Sequence, residues 1–293
     1  MNDVQHKMTE TLEQSFAWAH ACAQDHCADC AWYHGTWQYL RLLGLGKTLS
    51  GQSDWFIAQI RAARDTPSLS ILILGCADYS AFAHVIHALG LSSKQPELHP
   101  RIVAVDRCAT PLRLNHYLSE QTGIPITVHT SDALEFQPQE KFDLIFTSSF
   151  FGYFDPSQRR QVFSRCHDWL KPQGRLFFAA RLRPGDASVP ARAAPETIEL
   201  MVQKALGLHQ KFCLDGKWSD ADLAERLRAY MTHTTNYPIH SAQSLTDVLL
   251  AVGFHQADAE IRPPDLPEQT ANLKIQGGSL AEMADYACVV ARK

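Results

Sequence analysis

Residues 70–90 read SILILGCADYSAFAHVIHALG, and this stretch decides the fold. The unbroken apolar run at 71–74 predicts a strand covered on both faces, and Gly75 begins a tight turn. After the turn, apolar residues recur every three or four positions, which predicts a helix over 80–90. A strand, a short turn and a helix in this order form the unit that opens a nucleotide-binding α/β domain.

The same alternation continues to residue 181. Helices are predicted over 109–122 and 156–170, and the strand-like runs between and beside them are RIVAVD, ITVHT, FDLIFTSSF and GRLFFAAR. Near the end of the chain the pattern resumes with a helix in SAQSLTDVLLAVGF and strands in HQADAEIR and YACVVARK. This order predicts an α/β fold: a Rossmann-like, mostly parallel sheet with helices on both faces.

Two regions depart from the alternation. Residues 1–66 have only helical patterns and predict an N-terminal helical cap, whereas residues 67–293 predict the Rossmann-like domain. Within that domain, residues 182–238 begin as a loop and continue with two helical patterns, which predicts a helical insertion after strand five. We expect the cap and the insertion to roof the active cleft.

Composition places the chain among ordinary globular proteins. Of its 293 residues 45% are hydrophobic, and the formal net charge of -4 offers no general attraction to nucleic acid or anionic membranes. No run approaches the roughly 18 apolar residues of a membrane span, and the polar N-terminal sequence is unlike a secretory signal. We therefore expect a cytoplasmic protein with no nucleic-acid or membrane partner, and with its eight cysteines reduced rather than in disulfides.

Acidic residues follow the second and third predicted strands. Asp106 closes RIVAVD, and Asp132 follows ITVHT. In an open α/β sheet the ligand binds at the carboxyl ends of the strands, where the strand order reverses. A carboxylate at the end of strand two suits both ribose hydroxyls of a nucleoside, and Asp132 suits an adenine amino group. Taken singly, each acid also fits a plain structural role, as a helix cap or a solvated loop residue.

These features, in this order, resemble the class I S-adenosylmethionine-dependent methyltransferases. FDLIFTSSFFGYFDPSQRRQVFSRCHDWLKPQGRLFFAAR is similar to the family's strand four, its reaction-centre loop, the next helix and the LKPGGRL turn, with Gln173 replacing a glycine. SDALEF is similar to the segment that contacts adenine. The resemblance covers 70–181 well and 240–293 more loosely. It implies S-adenosyl-L-methionine as the cofactor.

The cofactor turn departs from the family pattern acid-x-Gly-x-Gly-x-Gly. Ile73 stands at the acid, and Ala77 and Tyr79 stand at the second and third glycines, so only Gly75 remains. Asp78 offers a carboxylate for the cofactor's ammonium group in place of the missing acid. The cofactor-binding residues that the resemblance implies are Gly75, Cys76, Ala77, Asp78, Asp106, Arg107, Ser131, Asp132, Ala133 and Ser148.

The predicted reaction is methyl transfer to a small metabolite at oxygen, nitrogen or carbon. The loop after strand four, TSSFFGYFD, lacks the NPPY or DPPY of enzymes that methylate nucleic acid or protein amines and amides. Three alternatives stay open: cyclisation or another alkyl transfer from the same cofactor, a NAD-dependent dehydrogenase, and a cofactor-free scaffold. The dehydrogenase fits less well, because its G-x-G-x-x-G turn is missing.

The resemblance also suggests substrate and catalytic residues. In many small-molecule methyltransferases N-terminal helices deliver aromatic and polar residues to the substrate, and WYHGTW has that composition. His34 is the candidate general base, because an imidazole titrates near neutral pH, although a buried structural histidine explains it as well. The expected catalytic residues are His34, Tyr33 and Tyr153; the expected substrate contacts are Trp37, Phe150, Phe151 and Arg181.

A cysteine and histidine cluster in the cap suggests zinc: Cys22, Cys27, Cys30 and His34. One straight helix cannot place four ligands around a tetrahedral ion, and cysteine packs readily as a small apolar residue. We therefore expect no metal among the site residues, and the question of metal at residues 20–34 stays open. A homodimer is possible on the sequence alone.

Overall fold

The computed structural model describes residues 12–26, 30–43, 45, 51–183, 185–212, 218–234, 236–263, 274–275, 278–279 and 285–293. Its strands are β1 (Ser70–Leu74), β2 (Arg101–Asp106), β3 (Thr127–Thr130), β4 (Phe142–Ser148), β5 (Leu170–Arg181), β6 (Gln256–Arg262), β7 (Lys274–Ile275), β8 (Gly278–Ser279) and β9 (Tyr286–Arg292). Its helices are α1 (Leu12–His26), α2 (Ala31–Leu42), α3 (Ser53–Arg61), α4 (Ser80–Leu89), α5 (Ala109–Thr122), α6 (Pro156–Trp169), α7 (Pro195–Phe212), α8 (Asp220–His233) and α9 (Ala242–Ala251).

Seven strands form one sheet in the order β3-β2-β1-β4-β5-β9-β6. β1 pairs in parallel with both β2 and β4, while β9 runs antiparallel between β5 and β6. The chain leaves β1 toward β2 and β3 and then returns to β4 on the other side, so the strand order reverses between β1 and β4. The predicted α/β fold with a Rossmann-like, mostly parallel sheet is confirmed.

Both faces of the sheet are covered, as the unbroken apolar strands predict. In β1, Ile71 and Ile73 face a core formed with α3, α4 and α5. The alternate residues Leu72 and Leu74 face a second core formed with α6 and α9. All four are fully buried. The result is a three-layer sandwich that leaves the carboxyl ends of the parallel strands at one edge, where the site lies.

The N-terminal helices and the insertion pack on each other. Phe16 of α1 and Tyr39 of α2 share an apolar cluster with Val202 of α7 and Leu223 and Leu227 of α8. By contrast α3, which the predicted cap includes, packs against the sheet through Trp55, Phe56 and Ile60. We call α1, α2, α7 and α8 together the roof. None of the helices within the described ranges is long and apolar enough to cross a membrane.

β5 begins four residues earlier than the sequence predicts. The strand includes LKPQ and takes Gln173 through a left-handed conformation, with φ of 65°, beside an irregularity in its pairing with β4. The backbone N–H of Gln173 donates to the carbonyl oxygen of Lys293 at 3.1 Å. Since glycine adopts positive φ at little cost, this conformation explains why the family's turn has glycine at this position.

Candidate functional site

The turn after β1 is closed by an aromatic ring. Gly75 has φ of 72°, and its N–H donates to the carbonyl oxygen of Val105 at 2.8 Å. A Cβ atom at Gly75 would lie 2.3 Å from Cδ2 of Phe150, in the loop that follows β4. Only glycine fits here, both in conformation and in space. The Gly75 turn and the β4 loop therefore meet at the point where the strand order reverses.

Asp106 joins the ends of β2 and β1. Its Oδ2 accepts the N–H of Cys76 at 2.6 Å, and its Oδ1 accepts the N–H of Cys108 at 2.7 Å. Burial raises the pKa of this carboxyl from 3.8 to about 6, against the lowering effect of the two N–H groups. An ionised carboxylate can accept roughly four hydrogen bonds, and these two leave the other acceptor positions open.

The end of β3 lies directly beside Asp106. The N–H of Ser131 donates to the backbone carbonyl of Asp106 at 2.9 Å. Oδ1 of Asp132 accepts the N–H of Leu134 at 2.8 Å, which starts a turn that buries Ala133. The two predicted nucleoside contacts, Asp106 and Asp132, are thus held on neighbouring strand ends. Of the other predicted cofactor residues, Arg107 is exposed and Ser148 is partly buried.

Asp78 is fully engaged by protein groups. Its side chain is buried, with one oxygen accepting from the N–H and hydroxyl of Ser80. The other oxygen accepts from the Arg41 guanidinium and, at 3.2 Å, from the Trp37 indole N–H. Burial alone would raise the pKa of Asp78, but Arg41 and Ser80 outweigh it and lower that pKa. Trp37 and Asp78 are therefore brought together as a link between α2 and the turn.

His34 also links α2 to the turn. Its Nδ1 lies 3.4 Å from the carbonyl oxygen of Ala77, and the residue is 6% exposed. Burial lowers its pKa to about 4, and the Ala77 contact and Asp78 offset this only in part. The imidazole is consequently uncharged at neutral pH.

Three tyrosines meet under the roof. The hydroxyls of Tyr33 and Tyr153 are 3.4 Å apart, and the ring of Tyr33 stacks on Tyr230 of α8 with centroids separated by 5.5 Å. Burial, together with Tyr153, Tyr230 and Asp106, raises the pKa of the Tyr33 phenol. Burial also raises the pKa of Tyr153, although 43% of that residue is exposed. The charge of Asp106 contributes to both shifts, so the two phenols lie near that carboxylate.

Two arginines, Arg181 and Arg183, lie at the end of β5 and just beyond it. Arg183 interacts electrostatically with Tyr153 and Tyr230, and burial followed by the charge of Arg181 lowers the pKa of its guanidinium. Nε of Arg181 is buried and has no hydrogen-bond partner among the described residues. A buried donor without a partner is costly, so the end of β5 is suited to an acidic group of a ligand.

The loop after β4 is held from below by Arg159. Its guanidinium donates to the carbonyl oxygens of Phe151 and Phe154, both at 3.0 Å, and of Tyr237 at 3.3 Å. Phe151 has no exposed surface and packs between Phe163 and Phe178, so it has no surface for a substrate. Of the other predicted residues of this group, Phe150 and Arg181 are partly buried and Tyr153 is exposed.

Sequence reasoning missed Arg41, Arg159 and Tyr230. Arg159 lies one residue after Gln158, whose capping box with Asp155 fixes the start of α6. The sequence shows the capping pattern, but the carbonyls that Arg159 binds lie on two separate loops, so the sequence does not predict these contacts. Arg41 contacts Asp78 and Tyr230 contacts Tyr33, both on distant segments, so no local sequence pattern predicts these contacts.

One cysteine corrects the expectation of reduced thiols. Cys108, which precedes α5, is disulfide-bonded, and its partner lies outside the described residues. The cysteines at 22, 30, 76, 166 and 288 are not in disulfides. Cys27 of the predicted cap cluster lies outside the described residues.

A comparison with protein families finds a match over residues 87–174 to the family described as methyltransferase domain. The match begins in the last turn of α4 and ends within β5, and it includes Asp106, Asp132 and the loop after β4. It confirms the resemblance to class I S-adenosylmethionine-dependent methyltransferases. S-adenosyl-L-methionine is the methyl donor of that family.

Solved structures with related folds are distant in sequence. The Burkholderia thailandensis 1,6-didemethyltoxoflavin-N1-methyltransferase, with 1,6-didemethyltoxoflavin and S-adenosylhomocysteine bound, is 14% identical, with a TM-score of 0.49, over 82% of this chain and 77% of that chain. The N-methyltransferase NodS from Bradyrhizobium japonicum, in complex with S-adenosylhomocysteine, is 15% identical, with a TM-score of 0.45, over 88% and 98%. An S-adenosylmethionine-dependent methyltransferase from Mesorhizobium loti is 19% identical, with a TM-score of 0.46, over 84% and 100%. A sequence comparison with curated proteins finds no match.

Proposed function

We propose that this chain binds S-adenosyl-L-methionine at the carboxyl ends of β1 to β4 and methylates a small metabolite in the adjoining cleft. The observation that carries the proposal is Asp106. Its carboxylate is fixed by two backbone N–H groups and still has acceptor positions open, at the point where the strand order reverses. The same carboxylate lies close enough to Tyr33 and Tyr153 to affect their pKa values, so the two halves of the site adjoin.

The residues present fit this cofactor at its nucleoside end. Asp106 would accept both ribose hydroxyls, and Asp132, with Ser131 and Ala133, would contact the adenine. At the methionine end, backbone groups of Cys76 and Ala77 would provide the contacts, and Gly75 would give the turn its left-handed conformation. Asp78 would act through the turn, because Arg41, Trp37 and Ser80 already use its carboxylate. Ser148 and Arg107 would border the site.

When bound, the cofactor supplies a methyl group activated by its sulfonium. The chain's own contribution would be to hold the acceptor atom in line and to exclude water. Tyr33 and Tyr153 would position that atom by hydrogen bonds, because their raised pKa values keep both phenols protonated at neutral pH. His34 is turned toward Ala77, so we assign it to holding the roof on the turn.

The substrate would be a small aromatic or apolar molecule with an acidic group. Phe150 and Tyr153 would contact its apolar part, and Arg181 and Arg183 would bind its acid. The unpartnered Nε of Arg181 supports this assignment. Cytoplasmic location, the absence of nucleic-acid and membrane partners, and a homodimer stay predictions.

Isothermal titration with S-adenosylmethionine, S-adenosylhomocysteine and NAD tests the cofactor. We expect the first two to bind, NAD not to bind, and Asp106→Ala to abolish binding. Asp168→Ala is the matched control, because Asp168 is an exposed acid on α6. Binding of NAD alone would make the chain a dehydrogenase, and no binding of any of the three would make it a scaffold.

A mass-spectrometric assay with small carboxylic acids tests the reaction. We expect products that are one methyl group heavier, and we expect Arg181→Met to raise KM for acidic acceptors while cofactor affinity is retained. Consumption of the cofactor with no methylated product would instead favour cyclisation or another alkyl transfer.

A further inference from the structure

We propose that Cys30, His34 and Cys108 form a zinc site that fastens the roof to the β2–α5 junction. One ligand atom from each of these residues lies within 4.8 Å of the others. Tetrahedral zinc with Zn–S bonds of about 2.3 Å places two sulfur ligands roughly 3.8 Å apart. Once the disulfide of Cys108 is reduced, the three groups are close enough to reach a common ion after small side-chain rotations.

The ligands come from two separate elements. Cys30 and His34 are one helical turn apart at the start of α2, so they lie on the same side of it. Cys108 is the N-cap residue of α5. The objection that one helix cannot surround a tetrahedral ion does not apply to this set, because Cys108 approaches from another part of the fold. Cys22, the other described cysteine of the predicted cap cluster, is not part of it.

The orientation of His34 supports metal binding. Its Nδ1 faces the carbonyl oxygen of Ala77 at 3.4 Å, which leaves Nε2 for an ion. Zinc-binding histidines commonly donate their second N–H to a backbone carbonyl or carboxylate in this way, which fixes the tautomer. An uncharged imidazole is also the form that binds zinc.

Cys108 must be reduced before it can bind an ion, because it is disulfide-bonded to a cysteine outside the described residues. Two electrons and two protons from a dithiol reductant convert the disulfide into two thiols. Binding of Zn²⁺ then releases the thiol protons of Cys30 and Cys108, while His34 provides its lone pair. A reducing compartment would favour the metal form, and oxidation would release the ion.

The site adjoins the cofactor cradle. Cys108 donates its N–H to Asp106, and the His34 contact with Ala77 reaches the turn after β1. Zinc would hold both of these segments to α2, the helix that also carries Tyr33. Its loss would loosen the roof over the cleft.

Cobalt(II) titration of the reduced, chelator-treated full chain tests the site. The phosphine-reduced protein should bind one equivalent of Co²⁺ with a thiolate charge-transfer band and the visible bands of a tetrahedral ion, and Zn²⁺ should displace it. Cys30→Ser and Cys108→Ser should each abolish or strongly weaken the charge-transfer band. Cys22→Ala is the matched control in the same helical region and should leave the titration unchanged.

Two results would overturn the proposal. One is the absence of a thiolate band in the reduced wild-type chain. The other is a band of unchanged intensity in both Cys30→Ser and Cys108→Ser. Circular dichroism of each variant separates ligand loss from unfolding, and Cys30, which is only partly buried, is the variant expected to fold normally. None of these readouts depends on methyl transfer, so the zinc site and the proposed function stand or fall separately.

Discussion

The guanidinium of Arg41 is paired with the buried carboxylate of Asp78, and this ion pair joins the second helix of the roof to the turn after β1. The side chains are 10% and 3% exposed, so the pair is shielded from solvent. Asp78 also receives the indole N–H of Trp37. The roof and the cofactor turn are therefore joined through charged groups as well as through apolar packing.

Removing Arg41 should destabilise the chain strongly. Arg41→Met leaves Asp78 buried without its cation, which typically costs about 3–5 kcal/mol. Urea unfolding measures the loss. In the double variant Arg41→Met/Asp78→Asn the uncompensated charge is gone, so a good part of the stability should return. Equal losses in the single and double variants would show that the charge is not the cause.

Cofactor affinity should rise with pH through about 6. The pKa of Asp106 is raised to about 6, and only the ionised carboxylate accepts both ribose hydroxyls. The effect on folding has the opposite sign, because the unfolded chain loses this proton first: the unliganded protein should lose stability as pH rises from about 4 to 6. Titrations and thermal melts on both sides of pH 6 measure both trends, and Asp106→Asn should remove them.

Gly75→Ala should impair folding and cofactor binding together. The new Cβ would lie 2.3 Å from the Phe150 ring, and φ of 72° is strained for alanine by about 1 kcal/mol. In Gly75→Ala/Phe150→Ala the overlap disappears while the backbone strain remains. The double variant should therefore recover stability in part, by thermal melting. Full recovery would mean that the left-handed turn costs nothing.

Arg159→Met should slow methyl transfer while cofactor binding is retained. The substitution removes the donors that hold the carbonyls of Phe151, Phe154 and Tyr237, so Tyr153 loses its support. Misplacement of a positioning group by about 1 Å can cost roughly a hundredfold in rate. The turnover rate measures methyl transfer, and isothermal titration with S-adenosylmethionine measures cofactor binding. Arg160→Met is the matched control, because Arg160 is exposed on the same helix; a similar loss there would contradict the assignment.

Gln173→Gly should stabilise the fold. Gln173 has φ of 65°, which costs an L-residue about 1–2 kcal/mol. Glycine removes this strain, but it loses more backbone entropy on folding, which offsets part of the gain in stability. The expected net gain is up to about 1 kcal/mol in urea unfolding. Gln173→Val should act in the opposite direction, because a β-branched residue tolerates this conformation poorly. A stabilising valine would refute the argument.

The sheet and its helices were largely predictable because each strand carries its own signal. The predicted bounds of β2 and α5 are those observed, since RIVAVD is a buried strand followed at once by a regular helical pattern. β5 began earlier than predicted because its first residues pair through an irregular register, which no local pattern records. Local sequence therefore specified the layers and left the fine register to tertiary contacts.

The candidate site was predictable only where it follows the strand ends. Asp106 and Asp132 were expected there from that rule and from the family resemblance. Phe151, by contrast, is fully buried in the core, whereas the neighbouring Phe150 is only partly buried. Sequence alone does not show which of two adjacent phenylalanines on a short turn faces the core. Arg41 takes part through Asp78, which is 37 residues away in the chain, so its role emerged only when α2 was seen against the turn after β1.

The shared packing of α1 and α2 with α7 and α8 bears on how this protein can be rebuilt. Phe16 and Tyr39 are buried against residues of the insertion, such as Val202 and Leu227. In a chimera that exchanges the insertion alone, the foreign α7 and α8 would pack against α1 and α2 side chains that do not fit them. Exchange of both segments as one module would transplant the interface intact, so the unit of recombination in this protein is discontinuous in sequence.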